Sequence, residues 1–163
     1  MVIRPYAPDD AEAVSELRWR SVRHIGPRAY SAEQIAAWLP EPDGVAKTRA
    51  RCEDGRQVWL AVSDNGTIMG VTDLEPDGHV DTLYVDPDHA GRGVGSALLA
   101  HVDLAAKDTG MSCLYTEASE LAAPVFERAG YSRDGRRDFD LRGVRIHNYA
   151  MSKRNGCPDD TRD

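Results

Sequence analysis

The chain is poor in the residues that would announce an extracellular, metal-bound or membrane-bound life. Of its 163 residues, three are cysteine, two phenylalanine and three lysine, the last being Lys47, Lys107 and Lys153. Cys52, Cys113 and Cys157 are odd in number and follow no metal or redox spacing, so a disulfide framework is excluded and a reducing compartment is expected. Apolar runs never exceed a few residues, and the opening MVIRP is no export signal; the chain reads as soluble and cytoplasmic, without a membrane partner. Positive charge is also short. Lys+Arg 20 against Asp+Glu 27 leaves −7, which argues against nucleic acid as a partner. An anionic ligand would have to be held by local dipoles.

Such dipoles are offered by residues 78–99, GHVDTLYVDPDHAGRGVGSALL. Residues 79–85 alternate, with Val80, Thr82 and Tyr84 facing one way and His79, Asp81, Leu83 and Val85 the other, and they are rich in β-branched and aromatic types. They read as one strand, stopped by Asp86-Pro87-Asp88. Val94, Ala97, Leu98, Val102 and Ala105 then recur at spacings of three and four, an apolar stripe on a helix running to Gly110. Between the two, Gly91, Arg92, Gly93, Val94, Gly95 and Ser96 form a cradle. Bare glycines let several backbone N–H groups converge on one anion, and the helix start adds unpaired amides and the positive end of its dipole. No lysine follows any of these glycines, so this is not a nucleotide P-loop, and GxGxG falls one residue short of the dinucleotide fingerprint.

The rest of the chain supplies helices and a meander. Residues 2–5 read as a strand. Asp9 or Asp10 starts a helix whose Val14, Leu17, Ser21, Val22 and Ile25 share a face, and Gly26-Pro27 ends it. Ser31 with Gln34 forms a capping box for a short second helix, and a third spans 42–52. Two strands flank Asn65-Gly66, a strong hairpin signal. After the cradle helix, 112–117 reads as a strand parallel to the central one, 119–129 as a helix whose start Pro124, in or near the first turn, shifts to Leu121 or Ala122, and 131–151 as a hairpin around Arg142-Gly143. The fold class is α+β: a mixed central sheet with an antiparallel meander, a parallel βαβ crossover and a final hairpin. Residues 1–153 read as a single domain and 154–163 as a disordered tail.

Leu83-Tyr84-Val85, then Pro87, then Ala90-Gly91-Arg92-Gly93-Val94-Gly95 resembles motif A of the GNAT superfamily of N-acetyltransferases. Ala90 departs from the Gln or Arg usual there. Residues 117–131, ending in Gly130-Tyr131, resemble the family's motif B, and the element order matches nearly throughout, with helices on both faces. The stretch 147–153, with Phe126 and the run around His79, is similar to the bacterial YafP-like subgroup. The resemblance implies acetyl-CoA as co-substrate, its pantetheine arm beside Leu83, Tyr84 and Val85, its pyrophosphate over residues 91–96, and Phe126 against the cofactor.

It further implies transfer of an acetyl group to a primary amine of unidentified identity, on a small molecule or a protein, by direct attack on the thioester. An alkyl amine with a pKa of about 10 must lose a proton first. His79, with Asp81 on the same strand face, is the candidate base, and Glu75 the second. Phe126 stands where many relatives carry a tyrosine acid, so Tyr131, Tyr115, Tyr149 or Ser119 would have to serve, or the thiolate leaves unaided. His24, Tyr30 and Trp38 are candidates for the acceptor pocket. The same absence of an acid leaves open a catalytically silent acyl-CoA-binding module acting as a sensor or partner subunit. Edge strands at the final hairpin allow a homodimer.

Overall fold

The computed structural model describes residues 1–154. In chain order the elements are β1 (Val2–Pro5), α1 (Ala11–Ile25), α2 (Ala32–Trp38), α3 (Gly44–Cys52), β2 (Gln57–Val62), β3 (Ile68–Leu74), β4 (Leu83–Val85), α4 (Val94–Asp108), β5 (Cys113–Ala118), α5 (Ala123–Arg128), β6 (Ser132–Leu141) and β7 (Val144–Arg154). Arg154 closes β7 opposite Cys113 and so belongs to a strand, while the rest of the expected tail, 155–163, lies outside the described residues.

Local chemistry accounts for most boundaries. Ser31 Oγ accepts from Gln34 N, and the Gln34 side chain accepts from Ser31 N, so the capping box starts α2. Ser63 N donates to Thr67 O across the Asn65-Gly66 turn, where Gly66 takes φ +87°. Pro124 sits in the first turn of α5, but that helix is shorter than 119–129: Ser119 Oγ accepts from Ala122 N and spends residues 119–122 on a capping turn.

The strands form two antiparallel sheets, β1-β2-β3-β4 and β5-β7-β6. Helices cover both faces. On one side α1 buries Val14 and Leu17 against Val58, Leu60 and Val71; on the other, α4 buries Leu99 and Val102 against Val80 and Leu114. The parallel pairing expected between the central strand and β5 is reduced to a single bridge. Val80 N donates to Tyr115 O at 2.8 Å and Tyr115 N to Gly78 O at 3.1 Å, after which the two strands diverge.

The sequence reading of 79–85 as one alternating strand is also corrected. Thr72 pairs with Leu83, yet Glu75 N bonds His79 O, so one extra residue is taken up on the His79 side between those points. This is a β-bulge, and the buried Asp73 carboxylate holds it by accepting from both Asp81 N and Thr82 N, at 2.9 and 2.8 Å. A bulge inverts the alternation beyond it. Val80 therefore packs with Leu83 on the α4 side, whereas Tyr84 packs on the α1 side. No helix among the described residues is long and apolar enough to cross a membrane.

Candidate active site

Asp86 N donates to Met69 O, and Asp73 N to Thr82 O, which sets the phase of the β3–β4 ladder. Bonded pairs alternate in an antiparallel ladder, so the N–H and C=O groups of Leu83 and Val85 point away from β3. They point into the wedge left where β5 diverges. A cavity of about 590 Å³ fills this wedge, lined by Leu83, Tyr84 and Val85 on one wall and by Thr116, Glu117 and Ala118 on the other. Main-chain groups that would normally be spent on a neighbouring strand are thus available to a ligand.

At one end of the cavity lies the cradle. Gly91 and Gly93 take φ +74° and +80°, a backbone that side chains disfavour, and Gly93 is the N-cap of α4. Gly91, Gly93, Val94, Gly95 and Ser96 all line the cavity. Arg92 does not; it is exposed beside it. A Cβ on Gly95 would come 3.3 Å from Val125 of α5, so this glycine lets the two helices close around the cleft. Arg128 of α5 lines the same region, is exposed, and has no ion-pair partner among the described residues. Sequence reading did not single it out, because only the fold of α5 against α4 brings it there.

At the apex stands a network of charge. Nε2 of His79 lies 2.6 Å from Glu117 Oε2, Nδ1 lies 3.4 Å from Glu75 Oε1, and the ring stacks on Tyr115 with centroids 4.7 Å apart. Burial works against the His79 imidazolium, but the Glu117 bond and the charges of Glu117, Asp81 and Glu75 outweigh it and raise its pKa. Arg56 reaches Glu75, Asp73 and Asp81 at 3.1, 2.7 and 3.0 Å, and Arg51 also pairs with Asp81. Asp81 and Glu75 are therefore neutralised by arginine. Burial pushes the Asp73 carboxyl up, with Arg56 and the Thr82 amide opposing.

The structure gathers His79, Asp81 and Glu75 at this apex, although of the three only Asp81 lines the cavity. Glu117, which sequence reading passed over as the end of a strand, lines it and binds His79. The period of two was a signal for it, since Tyr115 and Glu117 share a face of β5. Tyr131 lies elsewhere: it is 4 % exposed, packed edge-on to Phe126 in the core, and burial pushes its hydroxyl pKa well up. Tyr115 donates to Asp77 at 2.6 Å, which pushes it up to about 12, and Tyr149 donates to Glu120. Of the four hydroxyl candidates only Ser119 lines the cavity, as does Phe126.

The opposite wall is made by Ser21, Ile25, Arg28 and Trp38. Trp38 lines the cavity, whereas His24 is exposed, its Nδ1 near Arg20 O, and Tyr30 is buried with its hydroxyl between His147 O and Glu120 N.

The chain is 30% identical over 149 residues to the uncharacterized N-acetyltransferase YafP of Escherichia coli, which covers 91% of this chain and 93% of that one. It is 33% identical to the GCN5-related N-acetyltransferase structure from Rhodopseudomonas palustris, with a TM-score of 0.86 over 94% of both chains. The PaiA N-acetyltransferase of Thermoplasma acidophilum, solved with coenzyme A, shares the fold at 20% identity, with a TM-score of 0.73 over 94% of this chain and 98% of that one. Residues 27–153 match the family described as the acetyltransferase (GNAT) domain, and the chain belongs to that family.

Proposed function

We propose that the wedge binds acetyl-CoA and transfers its acetyl group to a primary amine by direct attack on the thioester. The observation that carries this reading is the pair of unspent ladder residues, Leu83 and Val85, opening beside the amide cradle at the start of α4. An extended amide-bearing arm can bond Leu83 and Val85 as a further strand would, while a diphosphate meets the amides of residues 91–96. The volume lies within the roughly 300–1,000 Å³ of small-molecule clefts. PaiA, a fold neighbour, carries coenzyme A, which supports the same ligand here. Arg128 and Arg92 stand ready for phosphate oxygens.

With the thioester so placed, its carbonyl oxygen falls near Val85 N–H, a donor for the oxyanion of the tetrahedral intermediate. The amine approaches from the Trp38 and Arg28 wall. It gives up a proton at the apex, to the network around His79. The thiolate leaves toward Phe126 without a tyrosine acid, with Ser119 or water as donor. Residues 1–154 act as one cytoplasmic domain in this reading.

Calorimetry with coenzyme A, followed by thiol release from acetyl-CoA over a panel of amines, tests the proposal. Binding with amine-dependent release is the expected result; no binding overturns it. The apolar Phe126 and the buried Tyr131 favour a second reading, an acyl-CoA-binding module without turnover. Tight binding with no release for any amine would select that one.

A further inference from the structure

We propose that Glu117 is the group that takes the proton from the attacking amine, and that His79 behind it receives that proton, the two acting as one base at the apex of the wedge. The assignment rests on the acetyl-transfer reading above and adds the atom to which the proton goes.

Two carboxylates line the cavity, Asp81 and Glu117. Asp81 is already occupied by Arg51 and Arg56. Glu117 has one ion-pair partner among the described residues, His79, and is otherwise exposed to the cleft. A base must reach the substrate and must also have somewhere to send its proton. Glu117 meets the first need and His79 the second.

The imidazole is held in a single orientation by contacts on both edges and one face. Nε2 meets Glu117 at 2.6 Å, Nδ1 faces Glu75 at 3.4 Å, and the ring lies at 18° to Tyr115, whose hydroxyl is tied to Asp77 at 2.6 Å. Glu75 is itself held by Arg56 at 3.1 Å. The charged groups around the ring are thus Glu75, Asp77, Asp81 and Glu117, with Arg51 and Arg56 opposing. Their balance favours the imidazolium, so a proton arriving through Glu117 has a stable resting place. The His79 side chain keeps 17% of its surface exposed, a route by which that proton returns to water.

The neutral amine nitrogen forms a bond to the thioester carbon and the carbonyl pair moves to oxygen. The nitrogen, now positive, gives one proton to a Glu117 carboxylate oxygen, and that same proton then passes from Glu117 to Nε2 of neutral His79, whose own proton sits on Nδ1 facing Glu75. When the oxygen pair returns, the carbon–sulfur bond breaks and its electrons leave on the thiolate. The products are the amide, the thiolate and an imidazolium paired with a carboxylate; the imidazolium proton is then lost to water or to the thiolate. The pair works only with His79 neutral and Glu117 ionised, so turnover rises with pH through the His79 pKa.

Glu117→Gln preserves shape and removes the proton acceptor. Its kcat for the best amine should fall by about 100-fold, with the acid limb of the pH profile lost and the Kd for coenzyme A unchanged. Glu117→Asp should recover part of the rate. Histidine NMR titration, which needs no turnover, should show the His79 pKa dropping toward its ordinary value in Glu117→Gln. His79→Ala should lose rate at neutral pH and recover at high pH. A Glu117→Gln protein with kcat within twofold of the parent and the same pH limb overturns the assignment while leaving acetyl transfer intact. A parent protein that takes up no coenzyme A instead overturns the reading of the cleft, and this assignment with it.

Discussion

Gly93 holds φ +80°, lines the cavity and has open space where a Cβ would stand. Alanine there meets two separate penalties. The left-handed backbone costs about 1–2 kcal/mol for a residue with a side chain, and the added methyl takes up room in the cradle proposed for the diphosphate. Gly93→Ala is expected to lower stability by about 1 kcal/mol and, separately, to weaken coenzyme A binding by roughly tenfold, since about 1.4 kcal/mol of lost contact is a factor of ten; denaturation and calorimetry on the same samples separate the two. The glycine pattern was visible in the sequence because backbone geometry at a tight turn is a local property. The period of two placed Glu117 on the face of Tyr115, but its contact with His79, 38 residues earlier, was not visible along the strand.

His79 also carries a stability consequence. Its folded pKa is raised above the ordinary 6.5, so its contribution is fully present below that value and is lost as pH rises through the folded one. The gap in unfolding midpoint between the parent and His79→Ala should therefore be widest in mildly acid solution and shrink in alkali, as thermal melts across pH would show. A gap that widened with pH would mean the imidazole is held neutral.

Among the elements, the hairpin of β6 and β7 is tied to α2 by Arg142, and also by Gln34, whose Nε2 donates to Arg145 O. Arg142 takes φ 50°, and its guanidinium donates to Ala37 O at 2.5 Å at the end of α2. A non-glycine residue in that region is held there by such a bond, which satisfies an orphan carbonyl of the helix. Trp38, the next residue, lines the cavity. Arg142→Ala should cost about 1–3 kcal/mol and raise the KM for the amine without changing the Kd for coenzyme A; steady-state kinetics alongside calorimetry checks it. The capping box of α2 and the Asn65-Gly66 turn were legible because each is closed by residues two to four apart. The bulge at Asp81 was not. It depends on the Asp73 carboxylate reaching across from β3, and nothing in the alternation of 79–85 reports that neighbour.

At the scale of the molecule, the cleft exists because two antiparallel sheets touch at His79 and Tyr115 and part beyond them. A ligand that fills the gap bridges both sheets and binds only the folded state. At 100 times its Kd, coenzyme A should add about 2.7 kcal/mol of stability, which for a chain of this size raises Tm by about 5–10 °C; a thermal melt with and without ligand reads it directly, and no shift would mean no such bridge. Salt and acid act elsewhere. Asp54, bonded by Arg56, is held down to about 2, and Asp10, bonded by Arg4, is lowered as well. Their contribution is present above the ordinary 3.8 and disappears as pH falls toward 2.

The order of strands and helices, the start of α2, the Asn65-Gly66 turn and the glycine pattern of residues 91–95 were legible in the sequence alone, since each rests on contacts between residues a few places apart. The tertiary structure decided the rest: the bulge that reverses one half of the central strand, the withdrawal of Tyr131 into the core, and the meeting of Glu117 with His79. Those depend on side chains brought together from distant strands, and no pattern along a single strand encodes which partner will arrive.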